Sequence, residues 1–109
     1  MAMANFTVHD LEKRVRQRAL ARAEGSYTRE LLDRGLEYCA KKLGEESIET
    51  VLAAVAEDRA RLIAETADLI YHLLVVLHAR GIALAEVEAA LAKRTKQTGV
   101  AEKMSRGRG

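Results

Sequence analysis

The sequence has no proline and no tryptophan, and aromatic residues make up only 4% of its 109 residues. Residues that break helices or favour strands are therefore scarce, whereas the strong helix formers Ala, Leu, Glu and Arg are abundant. Together with a hydrophobic content of 49%, this composition predicts an all-α fold. At this length we expect one domain with only a modest core of its own.

A single cysteine, Cys39, excludes an internal disulfide and favours a reducing, cytoplasmic setting. We interpret Cys39 as a small buried apolar residue rather than a catalytic one. The start of the sequence does not have the pattern of a signal peptide. The longest apolar run, residues 69–79, is interrupted by His72 and His78 and is too short to span a bilayer, so we expect no membrane association.

The charges are unevenly distributed, although the formal net charge is only +2. Residues 45–68 contain seven acidic and two basic residues, whereas residues 1–44 contain six acidic and nine basic and residues 69–109 contain three acidic and seven basic. An enzyme for a metal-bound polyphosphate needs carboxylates for the metal and cations for the phosphate oxygens, whereas a polyanion receptor would be basic throughout. Ordinary surface charge would give similar sums, and we expect no nucleic-acid partner.

Apolar spacing and capping residues predict four to five helices in an antiparallel bundle. The first predicted helix begins with a capping box at Thr7 and Asp10 and ends at about Glu24, and the second runs from Ser26 to about Leu43. The other three are predicted from Glu45 to before Asp58, from Arg59 to about Arg80, and from Leu84 to about Thr95. We place Gly35 inside the second helix and Gly44 at the turn before the third. The helical domain is expected to span residues 1–95, followed by a basic tail at 96–109.

The third and fourth helices are predicted to supply much of the core. The expected buried stripe of the third helix consists of Ile48, Val51, Leu52 and Val55. From Leu69 onward the fourth helix is apolar on every side, which in so short a chain predicts that a partner subunit covers its far side. We therefore expect a homodimer, with a dimer of dimers as an alternative. In the fifth helix, Val87 and Leu91 are predicted to face inward.

Two pairs of carboxylates stand three residues apart, Glu46 with Glu49 and Glu65 with Asp68. Residues at this spacing project from one face of a helix, so an antiparallel hairpin would bring the pairs together. Such charges repel one another and are unfavourable in an apolar band unless a cation lies among them. Oxygen ligands suit Mg²⁺, with Mn²⁺ as a substitute, and do not suit structural Zn²⁺.

Simpler interpretations exist for several of these residues. Glu45 and Glu46 would be favoured in the first turn of a helix by its dipole, although this does not account for Glu49. His72 is more simply a hydrogen-bonded core residue than a ligand. A dinuclear iron bundle is not indicated, because no histidine has a glutamate three residues before it.

A magnesium site between helices suits hydrolysis of a phosphoanhydride. A carboxylate not bound to the metal could hold or deprotonate the attacking water. The sequence has no P-loop or other glycine-rich phosphate cradle. Lysine or arginine side chains would therefore bind the phosphate oxygens.

Four segments, 26–28, 42–49, 65–73 and 98–106, resemble the phosphoribosyl-ATP pyrophosphatase family of histidine biosynthesis, which belongs to the all-α nucleotide pyrophosphohydrolases of MazG type. The family mark, E-x-x-E followed by E-x-x-D, corresponds to the two carboxylate pairs. The resemblance implies Mg²⁺-dependent hydrolysis of phosphoribosyl-ATP to phosphoribosyl-AMP and pyrophosphate, the second step of the pathway. It covers nearly the whole chain.

The resemblance also implies roles for individual residues. By carry-over, the metal ligands would be Glu46, Glu49, Glu65 and Asp68, all in the catalytic site together with Glu45, which would orient water. Lys42 would bind phosphate oxygens, and Lys103 and Arg106 of the tail would close over the substrate. Two alternatives stay open: a MazG-type enzyme for another NTP or dNTP, and a non-enzymatic helical interaction module.

Overall fold

The computed structural model describes residues 5–21 and 25–96, which form five α-helices and, within these ranges, no strand. The helices are α1 (Val8–Ala21), α2 (Tyr27–Arg34), α3 (Leu36–Ala56), α4 (Arg59–Ala79) and α5 (Leu84–Thr95). The predicted all-α fold is confirmed. Only two residues separate α3 from α4, and the two helices form an antiparallel hairpin with the largest helix–helix contact of the molecule. α1 and α2 pack against this hairpin.

The predicted helix caps are present. The backbone N–H of Thr7 donates to Asp10 Oδ2 (2.9 Å), and the backbone N–H of Asp10 donates to Thr7 Oγ1 (3.2 Å), which is the reciprocal pattern of a capping box. Ser26 caps α2, and Asp58 caps α4 by accepting a hydrogen bond from the backbone N–H of Arg61. These local bonds define where α1, α2 and α4 begin.

The boundary between the second and third helices lies at Gly35 and not at Gly44, so this part of the prediction was wrong. Gly35 has φ +99° and ψ 169°, a conformation that side-chain-bearing residues rarely adopt, and α2 ends there. Gly44 lies inside α3, because strong helix formers flank it and one helical glycine costs only about 1 kcal/mol. Glu45 and Glu46 therefore lie in the middle of α3, where the helix dipole does not explain them.

The core is small and lies between α1, α2, α3 and α4. Its fully buried members are Val15, Leu31, Cys39, Leu74 and Val75. The interpretation of Cys39 as a core residue is confirmed, since it is 1% exposed and its thiol donates to the carbonyl oxygen of Leu31. Burial raises the pKa of the Cys39 thiol, which keeps it protonated and unreactive.

The predicted buried stripe of α3 was wrong in its direction. Ile48, Val51, Leu52 and Val55 share one face as expected, but this face is between 56% and 82% exposed. Val87 is partly buried, whereas Leu91 is 53% exposed, contrary to the prediction for α5. The first helix ends at Ala21 in the described residues, and positions 22–24 lie outside them.

The apolar run 69–79 forms the second half of α4, whose bounds agree with the predicted helix from Arg59 to about Arg80. α4 has 21 residues and is long and apolar enough to cross a membrane, as judged by length and composition alone. The core helix of a soluble bundle has the same features, and α4 packs against α1, α2 and α3. It also carries the buried polar residues Glu65 and His72.

The two glycines of this region predict opposite responses to alanine. Gly44→Ala should raise the free energy of unfolding by about 0.5–1 kcal/mol, because Gly44 is helical and no atom would contact the added methyl group. Gly35→Ala should lower it by about 1–3 kcal/mol, because alanine is strained at this φ. Urea denaturation followed by circular dichroism measures both. Equal effects of the two substitutions would contradict the helix boundary at Gly35.

Candidate active site

Three carboxylates meet between α3 and α4. Glu46 and Glu49 extend from α3 and Glu65 from α4, and one oxygen of each lies within 4.8 Å of the others. The short connection between the helices brings the three residues to the same level of the hairpin. The structure thus assembles from two distant segments the acidic cluster that the sequence predicted, with three of its four expected members. We refer to Glu46, Glu49 and Glu65 as the carboxylate cluster.

The carboxylates of α3 lie on the face that packs against α4. Ala53 is on the same face and is 1% exposed. Its side chain is small, which allows α3 and α4 to approach closely. Thr50 is also on this face and contacts both helices. Its hydroxyl is 2.8 Å from the backbone carbonyl oxygen of Glu46 and 3.2 Å from that of Glu65. This hydroxyl connects the two helices at the level of the carboxylate cluster.

Two oxygen atoms of the carboxylate cluster are buried without a partner. Glu65 is only 5% exposed, and its Oε2 accepts from Arg61 Nη2 at 2.8 Å. Its Oε1 and the Oε2 atom of Glu46 are buried and have no hydrogen-bond partner among the residues that the structure describes. Because buried polar atoms are nearly always satisfied, these two atoms indicate that a cation or another polar group belongs between them.

Electrostatics within the cluster favour a positive ligand. Burial raises the pKa of the Glu46 carboxyl above its ordinary value, and the negative charge of Glu49 raises it further. Asp68 and Glu65 act on this pKa in the same direction, whereas His72 opposes them. Burial and the three neighbouring carboxylates are all unfavourable for the ionised form of Glu46, whereas a divalent cation would favour it. The donors are all carboxylate oxygens, which fits Mg²⁺ or Mn²⁺.

Asp68, the fourth predicted ligand, is not part of the compact group. It is exposed and lies one turn after Glu65 on α4, near enough for its charge to raise the pKa of Glu46. Its backbone carbonyl oxygen accepts from Nδ1 of His72 at 2.8 Å. Its role as a metal ligand stays a prediction.

The two residues predicted to act on water and phosphate are paired with each other. Lys42 Nζ lies 3.1 Å from Glu45 Oε1, and this hydrogen bond raises the pKa of Lys42. Both are on the same helix as Glu46 but outside the carboxylate cluster. Lys103 and Arg106 lie outside the described residues, so their predicted contacts with substrate stay predictions.

His72 is a hydrogen-bonded core residue, as the simpler interpretation held. It is 5% exposed, its Nδ1 donates to the carbonyl oxygen of Asp68, and its Nε2 is 3.2 Å from the hydroxyl of Tyr27. When Nδ1 carries the proton of a neutral imidazole, Nε2 accepts a hydrogen bond from the Tyr27 hydroxyl. The ring also packs edge-on against the rings of Tyr27 and Tyr71.

Comparison with known proteins agrees with this geometry. The family model described as "Phosphoribosyl-ATP pyrophosphohydrolase" matches residues 8–95. The chain belongs to the phosphoribosyl-ATP pyrophosphohydrolase family. This pyrophosphohydrolase is 64% identical over 104 residues to "Phosphoribosyl-ATP pyrophosphatase 1" of Bradyrhizobium diazoefficiens, covering 95% of this chain and 98% of the relative. The protein of the same name from Rhodopseudomonas palustris is 58% identical over 97% of this chain and 99% of its own length. The resemblance stated from the sequence is confirmed.

Two residues of this pyrophosphohydrolase were not singled out from the sequence. Arg61 holds one oxygen of Glu65, and its position four residues before that glutamate is the helical spacing at which such pairs form. Thr50 contacts α4, and its position four residues after Glu46 indicates only the bond within α3. Its contact with Glu65 depends on how the helices pack.

The raised pKa of Glu46 gives a pH-dependent prediction for the metal-free protein. The native state holds this proton more tightly than the unfolded state, so the contribution to stability is present below the ordinary glutamate pKa of 4.5 and is lost as pH rises through the higher native pKa. Glu46→Gln should therefore stabilise the protein at neutral pH in EDTA and have little effect near pH 4. Thermal unfolding across this pH range measures the difference.

The control for this prediction is Glu37→Gln, which changes an exposed glutamate of the same helix. Adding Mg²⁺ at neutral pH should stabilise the wild type and the control, by about 2.7 kcal/mol at 100 times the dissociation constant. It should stabilise Glu46→Gln far less. If neither Mg²⁺ nor Mn²⁺ changes the unfolding temperature of the wild type, the carboxylate cluster does not bind these metals.

Proposed function

We propose that this protein hydrolyses phosphoribosyl-ATP to phosphoribosyl-AMP and pyrophosphate, the second step of histidine biosynthesis, with Mg²⁺ as cofactor and Mn²⁺ as a substitute. The observation that carries the proposal is the carboxylate cluster with its two unpartnered oxygens, in a chain of the pyrophosphohydrolase family. The names of the relatives support the substrate. We expect a soluble, cytoplasmic enzyme without a membrane or nucleic-acid partner.

The proposed metal ligands are Glu46, Glu49 and Glu65, with Asp68 as the fourth acid. A divalent ion held there would polarise the phosphoanhydride and neutralise charge on the polyphosphate. Arg61 fixes the orientation of Glu65 by binding Oε2, and the buried Oε1 has no partner in the described residues and is free to bind an ion. Such hydrogen bonds to ligating carboxylates commonly orient a metal site.

Lys42 is proposed to bind phosphate oxygens, and Glu45 is proposed to activate the attacking water. Both are partly exposed, and their 3.1 Å contact is an ion pair that polyphosphate oxygens can compete for. When Lys42 binds phosphate oxygens, Glu45 is released to hold the attacking water and accept its proton. The water oxygen then attacks phosphorus as the bond to the pyrophosphate leaving group breaks. The tail residues Lys103 and Arg106 would contribute further cations.

We also propose that the protein works as a homodimer whose interface includes the outer face of α3, with a dimer of dimers as the larger alternative. Four neighbouring large apolar side chains, Ile48, Val51, Leu52 and Val55, are more than half exposed there. On α4, Ile63 is 57% exposed and Leu73 is 41% exposed. A contiguous apolar surface of this kind is typical of an interface.

Substitutions within the cluster test the activity. Glu49→Gln and Asp68→Asn should each lower kcat for phosphoribosyl-ATP with Mg²⁺ by roughly 10²–10³-fold, because each removes a charge that stabilises the metal and hence the transition state. Helix content and unfolding temperature should be retained. Pyrophosphate release with and without Mg²⁺ is the measurement, and Glu37→Gln is the control.

A substrate panel separates the two enzymatic alternatives. Phosphoribosyl-ATP should be cleaved in preference to common NTPs and dNTPs under the same conditions. Preference for one of the NTPs or dNTPs would instead assign a MazG-type activity on another nucleotide.

The interface proposal predicts that Val55→Glu weakens the dimer. Val55 is 82% exposed in the single chain, so the subunit should still fold, whereas a buried carboxylate in the dimer would be unfavourable. Sedimentation velocity should show a shift towards monomer for this variant. Leu91→Glu, which places the same charge on exposed α5, is the control and should leave the dimer intact. A wild type that is monomeric at high concentration would exclude this interface.

A further inference from the structure

A separate cavity lies where α1, α2 and α4 meet. Its volume is about 260 Å³. Its lining is mainly apolar and consists of Leu11, Arg14, Val15 and Arg18 of α1, Tyr27 and Thr28 of α2, and Tyr71 of α4. None of these residues belongs to the carboxylate cluster. Ligand pockets for whole drug-sized molecules are usually about 300–1,000 Å³, so this cavity suits a fragment of a ligand rather than a complete nucleotide.

Two cations at this cavity are available for an anion. Arg14 and Arg18 are four residues apart, so both guanidinium groups extend from one side of α1. In residues 5–21 and 25–96 neither forms a salt bridge with an acidic side chain, whereas Arg16 of the same helix is 3.7 Å from Glu12. Arg14 instead lies over the ring of Phe6, 5.4 Å from its centroid.

Hydroxyl groups complete the polar part of the wall. Thr28 is 3% exposed, and its Oγ1 shares a hydrogen bond of 2.5 Å with the hydroxyl of Tyr71. Burial raises the pKa of the Tyr71 hydroxyl, while this hydrogen bond and the positive charge of Arg18 act in the opposite direction. Arg18 is thus electrostatically coupled to the hydroxyl pair.

Tyr27 connects this cavity to the proposed catalytic site. Its ring lines the cavity, and its hydroxyl is hydrogen-bonded to His72, which in turn donates to the backbone of Asp68. Burial raises the pKa of the Tyr27 hydroxyl, and Lys42 and Glu46 also act on it, with opposite signs. Tyr27 therefore lines the cavity and is also near enough to Lys42 and Glu46 for their charges to act on its hydroxyl.

We propose that this cavity binds the phosphate of the phosphoribosyl group, at the opposite end of the substrate from the triphosphate. This inference rests on the proposed function. Phosphoribosyl-ATP has two anionic ends, and the carboxylate cluster with Lys42 can serve only the triphosphate. Guanidinium groups bind phosphate oxygens in a bidentate manner. One of the Thr28 and Tyr71 hydroxyls donates to the other, which leaves the pair one proton to donate to a phosphate oxygen. ATP lacks the phosphoribosyl group and its phosphate. Arg14 and Arg18 would therefore determine specificity for phosphoribosyl-ATP over ATP.

The test combines an enzyme variant with a substrate variant. Arg18→Gln should lower kcat/KM for phosphoribosyl-ATP by about 10–100-fold, mainly through KM, because charge-assisted hydrogen bonds to the phosphate are lost. For ribosyl-ATP, which lacks only that phosphate, the wild type should already show a comparable loss, and Arg18→Gln should add no more than about twofold. Such non-additivity is the signature of a direct contact.

Controls separate binding from structure. Arg16→Gln changes a neighbouring arginine that lines a different cavity and should leave both substrates unaffected. Arg14→Gln provides a second variant with the same expected pattern as Arg18→Gln. Helix content and unfolding temperature of all variants should match the wild type.

The possible outcomes are distinct. Equal losses for both substrates in Arg18→Gln and Arg14→Gln would assign these residues a structural role and overturn the inference. Wild-type enzyme that cleaves ribosyl-ATP as efficiently as phosphoribosyl-ATP would overturn it as well, while leaving the proposed function intact. No cleavage of phosphoribosyl-ATP by the wild type would overturn the proposed function and this inference together.

Discussion

Mutual repulsion among three carboxylates held between α3 and α4 is the constraint on which this molecule depends. Glu46 and Glu65 occupy positions where a simple helical hairpin would place apolar side chains, and Glu49 lies exposed beside them. One oxygen each of Glu46 and Glu65 is buried without a partner in the described residues. Removing carboxylates from water in this way is unfavourable by several kcal/mol unless a cation compensates. Arg61 compensates only one oxygen of Glu65. Under the proposed function, a divalent ion would compensate the remaining negative charge.

The orientation of α3 links catalysis to assembly. The face that carries the carboxylates and Ala53 is turned towards α4, so the roughly opposite face, with Ile48, Val51 and Val55, is left in solvent. Rotating α3 by half a turn would bury these apolar side chains but would disperse the carboxylate cluster. The proposed partner subunit on the outer face would resolve this conflict, because it would bury the apolar surface without moving the acids. Under this proposal, the active site and the interface are two sides of one helix.

Local features of the sequence predicted local features of the structure. The caps at Thr7, Ser26 and Asp58 depend on bonds within one turn, and they were found as predicted. Periodicity grouped the apolar residues of α3 correctly, but it does not state which face points inward, and that choice was wrong. The roles of Gly35 and Gly44 were exchanged because a glycine permits a break without requiring one. The contact of Thr50 with α4 depends on how the two helices pack, so the residues next to Thr50 in the sequence do not predict it.

Two ion pairs near the site differ in what a substrate can do to them. The side chain of Glu65 is 6% exposed whereas that of Arg61 is 55% exposed, so opening their ion pair would leave the buried carboxylate of Glu65 without a partner. The side chains of Lys42 and Glu45 are 26% and 44% exposed, so water can replace either partner at little cost. Arg61 is therefore suited to holding a ligand in one orientation throughout the reaction. Lys42 and Glu45 are suited to exchanging partners when polyphosphate arrives, because neither is a buried charge that must keep its partner.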